Sequence, residues 1–154
     1  MGGGFITVIN FPNTFWTIAP EDIPAYDPAK PRSRFIRVGP LINLGALKAL
    51  LSSGDFDTDQ LWLATDKCKK ALRKEQWSVD DVLQMLVNMD GAEDYSKSEW
   101  CQVAGERMVA CDVYTTRFDA VHKRRHPQGL PVYLKFSIDD DGIVTIALVS
   151  CHAS

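Results

Sequence analysis

Apolar residues set three different rhythms along this chain. In the middle, Val79, Val82, Leu83, Leu86 and Val87 recur at the 3.6-residue period of a helix with one buried face. Ser78-Val79-Asp80-Asp81 precedes them and fits the S-x-x-D/E capping box. Met85 and Met89 are expected to complete that core. Upstream, Asn43 is the expected N-cap of a helix carrying Leu44, Leu47, Leu50 and Leu51, with Gly54 as its stop. Thr65 caps a third helix, in which Asp66-Lys67-Cys68-Lys69-Lys70-Ala71-Leu72-Arg73 shows an early acid and then a basic, solvated face.

From residue 91 the rhythm changes to two. Gly91-Ala92-Glu93-Asp94-Tyr95-Ser96-Lys97-Ser98 is a polar connector, and Cys111-Asp112-Val113-Tyr114-Thr115 reads as a strand. His122 to Gly129 is a loop. Val132 to Ile138 alternates, so Tyr133, Lys135 and Ser137 share one face and Val132, Leu134, Phe136 and Ile138 the other. The apolar set should pack on the helices, leaving Tyr133 and Lys135 outward or in a cleft. Asp139-Asp140-Asp141-Gly142 is read as a hairpin turn, after which Ile143 to Val149 returns as a continuous apolar strand inside the sheet.

The first 42 residues follow neither rhythm for long. Phe5 to Ile9 and Phe15 to Ile18 have β-type composition. Pro20, Pro24, Pro28 and Pro31 then exclude helix and central strand. Arg34 to Val38 alternates as a half-exposed strand ahead of the Gly39-Pro40 turn. The prediction is an α+β fold: an antiparallel β-sheet packed on two or three helices, with an N-terminal β or irregular extension over 1–43 and a compact domain over 44–154.

Composition narrows the class. The chain has 154 residues, 45% hydrophobic and 24% charged, which suits one globular domain and disfavours disorder. No apolar stretch reaches the length of a membrane span, and Met1-Gly2-Gly3-Gly4 lacks the positive start of a signal peptide, so a cytoplasmic protein with no membrane partner is expected. Four cysteines without a C-x-x-C pair read as free, buried thiols. Of the possible zinc ligands only His122 and His126 are suitably spaced, with no cysteine pair beside them, so no metal and no cofactor are expected. The three aspartates before Gly142 sit in too short a frame for a calcium loop.

Charge then points to a partner. The chain is −3 overall, yet Val103 to Ile138 holds Arg107, Arg117, Lys123, Arg124, Arg125 and Lys135 against Glu106, Asp112 and Asp119, a local +3. Such a cluster beside a sheet suits RNA phosphates, with Lys123, Arg124, Arg125, Lys135 and Arg117 as candidate contacts.

Asp94-Tyr95-Ser96-Lys97-Ser98, Asp112-Val113-Tyr114 and Pro131-Val132-Tyr133-Leu134-Lys135-Phe136-Ser137-Ile138, followed by a closing strand ending Val149-Ser150, resemble the MqsR (motility quorum-sensing regulator) toxins over roughly Leu44 to Ser154. The resemblance implies a RelE-like fold. It also implies a metal-independent endoribonuclease that cuts mRNA and is held in check by a cognate antitoxin. By position, Lys97 matches an active-site lysine that stabilises phosphate charge, and Tyr133 an active-site tyrosine. Two positions depart: Cys111 stands where the family has a glutamine, and His152 where it has a lysine. A histidine can serve as acid or base near neutral pH. Residues 1–43 have no counterpart in the family; they would add a strand or cover to the sheet, or alter the antitoxin interface. Two other functions fit the same residues: a non-catalytic RNA- or protein-binding module of this fold, and an unrelated enzyme using Cys111 with His152.

Overall fold

The computed structural model describes residues 15–141 and 143–154, and the expected Phe5–Ile9 strand lies outside them. The described chain is α+β. Three helices, α1 (Leu44–Ser52), α2 (Asp66–Glu75) and α3 (Val79–Asn88), pack on a seven-stranded sheet. Its strands are β1 (Phe35–Ile36), β2 (Leu61–Leu63), β3 (Tyr95–Gln102), β4 (Met108–Asp119), β5 (Arg124–Arg125), β6 (Leu130–Asp141) and β7 (Ile143–Ala153). The order is β1-β3-β4-β6-β7-β2, with β5 paired to β4. Every pairing is antiparallel except β2 with β7.

The helix starts form as their sequences dictate. Asn43 accepts the Ala46 N–H and Thr65 the Cys68 N–H. At α3, Ser78 and Asp81 close both halves of a capping box. Each cap satisfies an N–H that the first turn leaves without a partner, typically stabilising by about 1 kcal/mol. One face of the sheet, with Val132, Leu134, Phe136, Tyr114, Ile146 and Leu148, packs on Leu47, Leu72, Val82, Met85, Leu86 and Met89. Leu47, Val82, Met85, Leu86 and Met89 are expected core positions of α1 and α3, and Val132, Leu134 and Phe136 belong to the expected apolar face of β6.

The opposite face is partly closed. The β3–β4 hairpin curls over it until the Ala104 N–H donates to Ala64 O, 2.9 Å away, beyond the end of β2. Cys101, Val103, Cys111, Ala147, Val149 and Ala64 form a second, smaller core inside that curl. The other end of this face stays open.

Three expectations are corrected. Tyr95–Ser98 is not part of a connector; it opens β3, which pairs with β4 from Tyr95 to Gln102. Asp139–Asp141 belongs to β6 rather than to a turn, because the β6–β7 ladder continues to Asp141 opposite Ile143. The loop after β4 contains a short pairing, Arg124 and Arg125 with Asp119 and Phe118.

The described part of the N-terminal extension is tied to the sheet. Phe35–Ile36 pairs with Glu99 and Ser98, and Trp16 bridges Ile42. Ile23, Ile36 and Leu41 pack on Ala110 in a third cluster. Asp112, fully buried on β4, accepts the backbone N–H groups of Leu41 and Ile42 and the Ser98 hydroxyl. Burial pushes the Asp112 carboxyl up in pKa, and those hydrogen bonds pull against it.

Candidate active site

Strand register brings separated residues to one face. Lys97 on β3 lies opposite Val113 on β4, which lies opposite Lys135 on β6, which lies opposite Ser150 on β7. Tyr133, two residues from Lys135 on the same face, lies opposite His152. Lys97, Lys135, Tyr133 and His152 therefore share the face opposite the helices.

Glu99, two residues after Lys97 on β3, sits at the centre. Its side chain is only 3% exposed. Lys135 Nζ donates to its Oε2 at 2.6 Å, Arg34 Nη2 lies 3.2 Å from the same oxygen, and Lys97 Nζ lies 3.3 Å from Oε1. Burial alone would raise the Glu99 carboxyl. The hydrogen bond and charge of Lys135, and then those of Lys97, outweigh it and hold the group at about 2. Burial likewise opposes the Lys135 ammonium, but the bond to Glu99 wins and its pKa is raised. Both members of the Lys135–Glu99 pair are therefore charged near neutral pH. Three cations around one carboxylate leave two positive charges, with Lys135 anchored below the surface and Lys97 and Arg34 half-exposed above it.

The cluster continues into an aromatic pair. Lys135 Nζ lies 5.9 Å from the centre of the Tyr133 ring. The Tyr133 and His152 rings stack with centroids 4.9 Å apart and planes 15° apart. His152 Nδ1 is 3.0 Å from Ala153 O. A carbonyl only accepts, so Nδ1 carries the proton of that bond, and Nε2 is the ring nitrogen that the bond leaves unengaged. Lys97, Glu99, Lys135, Tyr133 and His152 thus form one chain of contacts across three strands.

A cavity of about 360 Å³ opens beside it, lined by Arg34, Lys67, Lys135, Ser150, Thr65 and Tyr26, among others. The cationic side chains and hydroxyls on its wall suit an anion.

Cys111 lies on the same face but inside the curled core, fully buried. Its hydrogen bond with Cys101, and then burial, push its thiol well up, while the same bond lowers Cys101. Cys111 thus remains a buried thiol, directly opposite Glu99 across the β3–β4 pair. It is two strands from His152 and, by register, roughly 13 Å away along the sheet. A Cys111–His152 nucleophilic pair does not exist in this geometry.

The basic loop lies elsewhere. Lys123 pairs with Asp80 and Asp81 at the start of α3, and Arg125 with Asp94 and Glu93 ahead of β3. These side chains bond the loop to the fold. Arg124 is exposed, and Arg117, also exposed, donates to Gly129 O. Of the candidate RNA contacts, Lys135 alone joins the cluster.

Two of its members were missed in the sequence. Glu99 follows Lys97 at the spacing of one strand face, a signal hidden while Tyr95–Ser98 read as a connector. Arg34 belongs to the extension and meets Glu99 only because β1 pairs with β3. No family model, curated protein or solved structure matches the chain.

Proposed function

We propose that this chain is the toxin of a type II toxin–antitoxin pair. It is a RelE-like, metal-independent endoribonuclease of the MqsR kind, which cuts single-stranded mRNA in the cytoplasm and is restrained by a cognate antitoxin. The observation that carries this reading is the contact chain from Lys97 through Glu99, Lys135 and Tyr133 to His152, assembled from three strands.

The geometry suits in-line attack of a 2′-hydroxyl on its own phosphate. His152 Nε2 takes the 2′-hydroxyl proton as the O2′–P bond forms. The phosphorane carries two negative charges, and the cluster of Arg34, Lys97, Lys135 and Glu99 presents two net positive ones in fixed positions. Tyr133 donates its phenolic proton to the leaving 5′-oxygen as the P–O5′ bond breaks. The products are a 2′,3′-cyclic phosphate and a 5′-hydroxyl. Glu99 does not touch the RNA; it positions the cations and trims their charge to that of the transition state.

The test is incubation of purified protein with single-stranded RNA in EDTA. Cleavage with cyclic-phosphate ends is expected, and its loss in folded Lys97→Ala, Tyr133→Phe and His152→Ala variants. RNA left intact by folded wild type would reject the proposal in favour of a non-catalytic binding module.

A further inference from the structure

A second cavity, of about 290 Å³, adjoins the candidate active site along α2. Lys67, Cys68, Ala71, Lys74 and Glu75 line it from the helix, and Ser150 to Ala153 from β7. Lys67 and Ser150 also line the 360 Å³ cavity that holds Arg34 and Lys135. The two cavities therefore meet, and together they make one groove running past the C-terminal end of β7 and up α2. Lys67, Ala71 and Lys74 are spaced i, i+4, i+7, so they form a single stripe, with the small Ala71 as the floor between two lysines. Lys67 and Lys74 stand roughly 10 Å apart along the helix axis. Both are exposed, and among the described residues neither has a carboxylate within ion-pairing distance.

We propose that this α2 groove is the track on which the backbone of single-stranded RNA runs away from the cleavage site, with Lys67 and Lys74 each holding a phosphate. The proposal rests on the ribonuclease reading of the adjoining cluster. Charge complementarity selects the occupant: the groove starts at Arg34 and Lys135, which share the single carboxylate of Glu99, and continues through two lysines, and the acid among its lining residues is Glu75, at the far end of the helix. The loop of Lys123 and Arg125, although richer in basic residues, spends its charges on Asp80, Asp81, Glu93 and Asp94.

The test uses fluorescently labelled RNA with every 2′-oxygen methylated, which binds but cannot react. Oligomers of about 4 and about 12 nucleotides fall at the short end and in the upper part of the roughly 4–16-nucleotide range of single-strand sites. Lys67→Ala/Lys74→Ala should weaken the longer oligomer about tenfold and lower its salt slope by about 1.4, since each lost phosphate contact removes about 0.7. Lys74→Ala alone should weaken the longer oligomer about threefold and leave the shorter one unchanged. Lys123→Ala should leave both unchanged. An unaltered salt slope in the double variant would overturn the track, as would an equal loss in Lys123→Ala. So would tighter binding of an acidic polypeptide than of RNA, lost in the same double variant, which would assign the groove to a protein. If unmodified RNA is not cleaved but the double variant still loses binding as described, the track stands and the nuclease reading fails.

Discussion

Lys135 Nζ lies 2.6 Å from Glu99 Oε2, and both side chains are almost wholly shielded from water. A buried pair of this kind gains little net stability, but removing one partner strands the other charge. Glu99→Ala should therefore destabilise the protein by about 3 kcal/mol, read as a lower urea midpoint. Glu99→Gln keeps an acceptor for Lys135 and should cost less. Replacing both residues, as in Glu99→Leu/Lys135→Met, should restore most of the stability while abolishing RNA cleavage. A Glu99→Ala variant as stable as wild type would show that the pair does not hold this face together.

The same pair makes stability depend on pH from both sides. Glu99 is held at about 2 in the fold against an ordinary 4.5. A carboxyl depressed by folding contributes stability that is present above the unfolded value and lost as pH falls through the folded one. That contribution should fade between about pH 5 and pH 2. Lys135 is raised by folding, so its contribution is present below the ordinary lysine value and lost as pH rises above it. Urea midpoints measured across this acid range should fall less steeply for Glu99→Gln than for wild type. Parallel profiles would remove Glu99 as the titrating group.

Period-based patterning exposed the helices, their caps and the apolar face of β6, because each of these is dictated locally. Asn43, Thr65 and Ser78 act on N–H groups three residues away, within reach of any sequence window. It failed where polarity is bought by a distant partner. Ser98 and Glu99 are buried polar residues on β3, satisfied by Asp112, Lys135 and Arg34, so their strand has no apolar alternation to show. β2 is three residues long, and among the described residues its strand partner is β7, more than 80 residues on. The motif resemblance singled out Tyr133, Lys97 and His152 as candidates; their place in one chain of contacts, and the burial of Cys111, depended on register. The basic loop misled because a count of charges along the chain says nothing of the acids that Lys123 and Arg125 meet in space.

Among the described residues, Arg34 is the member of the cluster that the N-terminal segment contributes. Its Nε donates to Trp100 O at 3.3 Å and its Nη2 reaches Glu99, so two contacts aim a half-exposed guanidinium at the site. Arg34→Ala should slow RNA cleavage about tenfold, the effect of ~1.4 kcal/mol lost from the transition state. Arg34→Lys should recover only part of it, since an ammonium lacks the fixed fork whose Nε and Nη2 reach Trp100 O and Glu99 from separate nitrogens. The loss should lie in kcat rather than KM, because the charge it answers develops during reaction. Unchanged kinetics in Arg34→Ala would confine the site to residues after 43.

Asp112 should control whether that segment stays in place. Its carboxylate takes the Leu41 and Ile42 N–H groups at 3.0 and 2.8 Å and the Ser98 hydroxyl at 2.6 Å. Asp112→Ala leaves these buried donors unsatisfied, at a cost of about 2 kcal/mol. Limited proteolysis should then cut between residues 20 and 40 faster than in wild type. Cleavage of RNA should fall with it, through displacement of Arg34. Protease resistance equal to wild type would mean that the apolar cluster of Ile23, Ile36 and Leu41 suffices to hold the segment.

The Tyr133–His152 stack separates chemistry from packing. Tyr133→Phe keeps the ring, its 4.9 Å stacking distance and its place above Lys135, and removes only the hydroxyl. Stability should change by less than ~0.5 kcal/mol, as for a surface substitution. Cleavage should drop by about 100-fold or more, the usual contribution of a positioned proton donor. Tyr133→Ala removes the ring as well, so His152 loses the plane that fixes it; stability should fall by a further ~1 kcal/mol, the scale of an aromatic pair. Its rate loss should exceed that of Tyr133→Phe, because both the proton donor and the orientation of the base are gone. If the two variants cleaved equally slowly, the stack would contribute only packing, and His152 would owe its orientation to the Nδ1 bond with Ala153 alone.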